Sequence, residues 1–382
     1  MKNFNIVFLG RTPFPIGTAM SKRHKYIIDF LCTQPDIAIH KYCSWNDGKW
    51  NNPAEGFYNG KVHFLNTQYS RSIKSIFKIS NECVRFLKNA YRQDSYNIIV
   101  TTTMFPFEQV YPLLLAKRKG YKIVVDAVEN YESKGTDASF LMKLQLLIAK
   151  YIYKKVDGVF AISRMLANVF RERVKVPVLE LSNSTPVNCE TTKRYFGKPF
   201  KIVYAGTFAS KDGVEYLISG FNSFSSKLGV DAQLILVGGG KRTLLLERAA
   251  KNNIKIHFTG FISDEELNNY LHDADVLCMT RCNSPFANYG FPFKLSEYLA
   301  TGNPVLATSV GDVPKYLKDG INAFLIPPES SNSIADKLFY IYTHEQESLE
   351  IGKRGIDVVK TYFDITKNGE KFLNFITQIC KS

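Results

Sequence analysis

No apolar run in the 382 residues approaches the ~20 that cross a bilayer as a helix. The opening MKNFNIVFLG is short and polar for a signal peptide and reads as a first strand. Seven cysteines, an odd number, include no Cys-x-x-Cys and no Cys/His pairing. That argues against a disulfide framework or a zinc site and fits a reducing, cytoplasmic setting. Gly-x-Gly-x-x-Gly is missing as well, so the dinucleotide fingerprint is excluded. Acidic residues are scarce in one half only. Residues 1–190 hold 27 basic and 15 acidic side chains, whereas residues 191–382 hold 22 and 20. Of the net charge of +14, +12 belongs to the first half, which suggests an anionic partner there: a membrane surface, a phospholipid-linked acceptor or nucleic acid.

What is present is enough for two domains. Hydrophobic residues make up 45% of the chain, sufficient to build real cores. NIVFLG (Asn5–Gly10), a Pro/Gly loop and a helical stretch Ser21–Leu31 open the chain as an α/β domain does. NIIVT and KIVVD, with a helix over Pro106–Lys119 between them, form a βαβ unit. The loop after KIVVD carries Asp126, Glu129 and Glu132 past the carboxyl end of a strand, where α/β folds place ligands. A boundary is expected near 185–198, in a stretch rich in Ser, Thr and Pro. PFKIVYAGTFASKDGVEYL then restarts the pattern of strand, glycine loop and helix, with Gly206, Lys211 and Gly213 at the turn. A lysine and backbone amides at a helix start make an anion site. The expected division is 1–190, 191–365 and a last helix, 366–382.

Two stretches look suited to a bilayer surface. Ser70–Arg92 interleaves Ile73, Ile76, Phe77, Val84, Phe86 and Leu87 with six basic residues. It reads either as an interfacial helix or as a helix packed on its own domain with a basic outer face. Phe140–Lys155 is very apolar with a basic end, either a core helix or a second surface element.

The stretch with most chemistry is Tyr289–Asp312, YGFPFKLSEYLATGNPVLATSVGD. Pro292 suits a helix start, Gly302 a left-handed helix end, and Val305–Ala307 a strand. Lys294 and Glu297, three apart, share a face near the helix start. A lysine with a carboxylate beside it suits a ligand whose hydroxyls lie one sugar away from a phosphate, that is, a nucleotide diphosphate.

The run FPFKLSEYLATGNPVLATSVGDVPKYLKDGINAFLIPP resembles the signature segment of family 4-type retaining glycosyltransferases, in particular the bacterial polysaccharide branch with its FPxKLxEYLAxGxPV pattern. The resemblance implies a GT-B fold: two Rossmann-like domains facing across a deep cleft, with the C-terminal helix returning to the first. It implies transfer of a hexose from a nucleotide-diphosphate sugar to a saccharide or lipid-diphosphate-linked acceptor, with no nucleic acid as partner, at the cytoplasmic side of the plasma membrane. Donor contacts fall on Gly17, Gly206, Thr207, Lys211, Gly260, Phe261, Asn288, Tyr289, Gly290, Phe291, Lys294, Leu295 and Glu297. Asp126 and Glu129 fall on the acceptor side. Glu129, Lys211 and Lys294 are the catalytic candidates. With no Asp-x-Asp standing out as a metal site, no metal cofactor is expected, and the lysines would carry the leaving diphosphate. Two departures stand out. Thr207 occupies the place of the family's loop arginine, and Tyr289 that of the first glutamate of its E-x7-E motif. A nucleotide-sugar epimerase of GT-B shape and a non-catalytic nucleotide-sugar-binding subunit remain alternatives.

Overall fold

The computed structural model describes residues 3–46, 48, 50–68, 72–133, 140–187, 195–227, 229–250 and 253–381. The chain divides into two compact units, Met1–Ser184 with Ile365–Ser382, and Thr185–Asp364. The first unit thus ends at Ser184 rather than near residue 190, and much of the Ser/Thr/Pro-rich connection expected there, 188–194, lies outside the described residues.

The first unit runs β1 (Asn3–Gly10), α1 (Ala19–Thr33), β2 (Ile37–Asn46), β3 (Glu55–Tyr58), β4 (Val62–Gln68), α2 (Ile73–Ala90), β5 (Ser95–Thr102), α3 (Phe107–Arg118), β6 (Lys122–Ala127), α4 (Phe140–Tyr153), β7 (Gly158–Ala161), α5 (Arg164–Arg173) and β8 (Val178–Glu180). Its sheet has the order β3-β4-β2-β1-β5-β6-β7-β8. Every pairing is parallel except the β3–β4 hairpin. Strands covered on both faces need apolar side chains on both, and Ile6–Leu9 of β1 are fully buried in succession.

The second unit runs β9 (Phe200–Thr207), α6 (Val214–Ser225), β10 (Ala232–Gly239), α7 (Thr243–Ala249), β11 (Ile256–Gly260), α8 (Asp264–Asp273), β12 (Val276–Met279), α9 (Pro285–Tyr289), α10 (Phe293–Ala300), β13 (Val305–Thr308), α11 (Val313–Tyr316), β14 (Phe324–Ile326), α12 (Ser331–Thr343) and α13 (Glu345–Val358). A π-helical turn, Val359–Phe363, follows. This sheet is parallel, in the order β11-β10-β9-β12-β13-β14. Thr185 and Asp364, the first and last residues of the unit, form a parallel bridge.

The chain then closes with α14 (Ile365–Lys381), which belongs to the first unit and packs on α1. Phe372 stacks on Phe160 of β7 at 4.7 Å, and Phe372, Ile376 and Ile379 are buried in the first unit's core. Each such side chain contributes roughly 1.5–3 kcal/mol of burial. Gly369 lets the helix lie directly against Phe30, where a Cβ would meet the ring at 2.2 Å.

The two candidate surface helices behave differently. α2 packs Ile79, Cys83, Phe86 and Leu87 into the unit, so it is chiefly a packed helix with a basic outer face; Ser70 and Arg71 of the expected stretch lie outside the described residues. α4 buries only Ala149 and Ile152.

Candidate active site

In the second unit, β9, β12 and the start of α10 converge. Ser284 caps α9, its hydroxyl accepting from Ala287 N–H, and α10 begins at Phe293 with Pro292 as its N-cap. α10 is pinned to β9 by Tyr298. Its buried hydroxyl accepts from Ala205 N–H (2.7 Å) and donates to Ala205 C=O (3.1 Å). That fixes Lys294, one turn earlier, against Gly206. A Cβ on Gly206 would lie 2.6 Å from Lys294 Nζ, and the residue's φ of +148° is itself one that side chains rarely adopt. The backbone conformation therefore favours glycine at the end of this strand, and the lysine's ammonium fills the space beside it.

Lys294 Nζ sits 3.7 Å from the centre of the Tyr204 ring and 3.8 Å from Asp212 Oδ1. Burial pulls its pKa down to about 8; Arg281 and Lys211 push the same way, and Asp212 and Glu297 oppose them. Asp212 closes a 3-10 turn, Ser210–Asp212, and accepts from Thr207 Oγ1 at 3.0 Å. Lys211, in the same turn, lies 4.9 Å over the Phe286 ring. Gly213 follows at φ +62°, where a Cβ would strike the Thr280 carbonyl at 2.2 Å, and its turn starts α6. Lys211, Lys294, Glu297, Gly206 and Thr207 thus belong to one cationic cluster.

Arg281 joins them and was not foreseen. It lies just past the carboxyl end of β12, buried, and close enough to depress the Lys294 pKa. An arginine directly after the apolar run VLCMT was the available signal.

The other expected donor residues divide by what their side chains do. Phe291 packs on Tyr316 and Phe363 at 5.3 and 5.5 Å, and Leu295 is fully buried. The side chains of both belong to the core, so a donor could meet only their backbone. Asn288 Nδ2 donates to Asn283 Oδ1 at 2.7 Å, and Tyr289 and Gly290 end α9. Gly260 ends β11 in the left-handed region, and Phe261 after it is exposed. Ser263 and Glu266 form a capping box, so the acids there serve α8.

Gly17, Asp126 and Glu129 belong to the first unit. The space at Gly17 is filled by its own surroundings, since a Cβ would meet Ser21 Oγ at 2.3 Å and the Pro13 carbonyl at 2.9 Å. A turn glycine accounts for it. Asp126 is also corrected. Its carboxylate is buried and held by Arg23, whose Nε reaches Oδ2 at 2.9 Å and Nη2 reaches Oδ1 at 2.9 Å. Arg23 further donates to the carbonyls of Leu181 and Ser182. His24 Nε2 lies 3.6 Å from Asp126, and Lys41, fully buried, donates to His24 Nδ1 (3.0 Å) and Thr12 Oγ1 (2.6 Å). Burial alone would raise the Asp126 pKa, but Arg23 and His24 outweigh it and hold the carboxyl at about 2; burial, then Lys41, takes His24 down to about 4. Asp126 is a positioning carboxylate. Glu129 bonds the Tyr131 hydroxyl, and Glu132 pairs with Arg173 at 2.7 Å. Lys134 and Gly135 of that loop lie outside the described residues.

One Asp-x-Asp spacing does occur, at Asp273 and Asp275. Asp275 accepts from the N–H groups of Gly197 and Lys201, and Asp273 pairs with the Lys201 ammonium. Among the described residues no group of three or more His, Cys, Asp and Glu is arranged to hold a metal ion.

Residues 199–344 match the family model for Glycosyl transferases group 1. An uncharacterized glycosyltransferase of Methanocaldococcus jannaschii is 25% identical over 215 residues, covering 56% of this chain and 57% of that protein. This chain carries a Glycosyl transferases group 1 domain. The fold agreement is nearly full-length. Sucrose-phosphate synthase from Thermosynechococcus elongatus superposes with a TM-score of 0.77 at 17% identity, over 98% of this chain and 99% of that one. Anabaena HepE, in complex with UDP, gives 0.70 at 15% identity, over 98% and 100%. The matched domain contains the whole Lys211–Lys294–Arg281 cluster. The match spans little more than half the length of the archaeal relative.

Proposed function

We propose that this protein is a glycosyltransferase that moves a hexose from a nucleotide-diphosphate sugar to a hydroxyl of a saccharide or lipid-linked saccharide, with retention at the anomeric carbon, in the making of a surface polysaccharide. The observation that carries the reading is Lys294 held over the left-handed Gly206, with Lys211 and Arg281 alongside. Three cations and the N–H groups opening α10 suit a diphosphate. Arg281 makes good the arginine that Thr207 replaces. Glu297 would take the ribose hydroxyls, and the backbone at Gly260 and Phe261 the base.

In the transfer the bond from the anomeric carbon to the diphosphate oxygen breaks, and the diphosphate leaves with the electron pair. The new bond forms from the acceptor oxygen, whose proton passes to the departing phosphate while Glu129 orients the hydroxyl. Lys211, Lys294 and Arg281 meet the charge that develops on the leaving group. The reading needs no metal. Asn288, Tyr289 and the amides around Gly290 would replace the missing glutamate at the hexose. UDP in the HepE neighbour favours a uridine nucleotide. A lipid-linked acceptor would place the protein at the cytoplasmic face of the plasma membrane, bound peripherally.

The test is incubation with labelled nucleotide sugars, with and without lipid-diphosphate acceptors. Label transferred only when acceptor is present supports the reading. An isomerised donor, or binding without turnover, overturns it.

A further inference from the structure

α4 turns its apolar stripe away from the protein. Phe140, Leu144, Leu147 and Tyr151 recur at i, i+4, i+7 and i+11, a single face of a helix. They are 80, 39, 63 and 53% exposed, and Leu141 beside them 60%. The opposite side is the packed one. Ala149 and Ile152 are buried there, and at the helix end the Tyr153 hydroxyl donates to the Thr103 carbonyl at 3.0 Å while its ring meets Phe105 and Phe170. A surface helix of a globular unit normally does the reverse, as α14 does with Phe372, Phe375, Ile376 and Ile379. Solitary exposed apolar residues need no explanation, but four on one turn-to-turn stripe with a fifth beside it do.

The charges say what covers it. α4 holds no carboxylate. Lys143 and Lys150, seven apart, lie in one line beside the stripe, Lys154 follows in the turn after the helix, and all three are exposed. Their aliphatic stems can lie along an apolar boundary while the ammonium groups reach anionic headgroups. With 14 residues the helix is too short to span a bilayer, and among the described residues no helix is long and apolar enough to do so. Lying in the plane of the interface is the remaining geometry.

We infer that α4 is an in-plane anchor that seats the first unit on an anionic bilayer, with Phe140, Leu144, Leu147 and Tyr151 entering the acyl boundary and Lys143, Lys150 and Lys154 at the headgroups. The inference deepens the reading of a lipid-linked acceptor, yet it rests on residues outside the donor cluster. α2 plays at most a flanking part through Ile73 and Phe77.

The experiment is co-sedimentation of the full chain with vesicles of phosphatidylglycerol mixed with phosphatidylcholine, and with vesicles of phosphatidylcholine alone. The expected result is binding to the first and little to the second, falling about tenfold or more in the Leu144→Glu/Leu147→Glu double variant. Lys143→Gln/Lys150→Gln, two changes at exposed positions, should weaken binding and flatten its salt dependence. Light scattering runs alongside. Wild-type protein that ignores anionic vesicles, or binding by both double variants that equals the wild type's, overturns the inference. A wild-type dimer that the leucine variant dissociates overturns it too, assigning the stripe to a second copy of the chain. Stabilisation by nucleotide, read from melting curves of the same variants, keeps this outcome separate from that of the donor site. Vesicle binding with no nucleotide response would sink the proposed function and leave the anchor standing.

Discussion

Lys294 has a pKa near 8 in the folded protein against an ordinary 10.5. Between those values the unfolded chain holds a proton that the folded one has released, so stability gains with rising pH across that window, and the cost is present below 8. A bound diphosphate supplies the missing countercharge and restores the proton. Nucleotide binding should therefore take up a proton near pH 8–9, and affinity should fall as pH rises through that range. Calorimetry in two buffers of different ionisation heat reads the uptake; Lys294→Met should abolish it and weaken binding about tenfold or more. Asp126 makes the complementary case. Asp126→Asn leaves Arg23 buried without its counterion and should lower stability by about 3–5 kcal/mol in chemical denaturation. His24, neutral and buried with a pKa near 4, makes the fold less stable as pH drops from 6.5 toward 4, because only the unfolded chain then accepts the proton. The stabilising effect of Asp126 is lost only lower, as pH falls from 3.8 through about 2. His24→Gln should flatten the upper part of the acid melting curve. Lys211, Lys294 and Glu297 were legible from local pattern. Arg23, Lys41 and Arg281 were not, because their partners come from distant strands and a lone charge in a helix or strand reads as surface.

At the scale of elements, α10 is worth more as a lever than as a helix. Eight residues form it, and Tyr298 ties it to β9 at one backbone position. Tyr298→Phe removes both bonds and leaves Ala205 N–H without its partner; an expected loss of about 1–3 kcal/mol follows for such a buried group. Because Lys294 moves with the helix, nucleotide affinity should fall as well, which a titration of the same variant checks. A change in melting temperature with affinity intact would count against the lever. The segment from Pro292 to Thr308 was readable because cap, periodicity, glycine and strand follow each other within one turn of sequence. The two amphipathic helices were readable only as a class. α2 and α4 both alternate apolar and basic residues, and which face meets the sheet depends on tertiary packing that a period cannot report. The parallel pairing of β2 with β4 comes from topology, which no local signal in either strand reports.

For the molecule as a whole, the decisive feature is that the first unit is completed by the last helix. Removing 365–382 strips Phe372, Ile376 and Ile379 from the core that holds Phe8 and Phe160, while nothing in that segment belongs to the second unit. Truncation at Asp364 should leave the first unit open to limited proteolysis and the second unit resistant; equal resistance of both would refute the expectation. The return of the last helix was anticipated from the resemblance, not from its residues, since an apolar stripe at the end of a chain does not name the surface it will cover. The order of synthesis then matters. A nascent chain emerges with eight strands whose apolar floor beneath Phe160 has no cover, and that floor stays bare until α14 leaves the ribosome. The second unit, whose residues are contiguous, can mature first, so the amino-terminal unit would be the later of the two to settle and the one in need of a chaperone while translation continues.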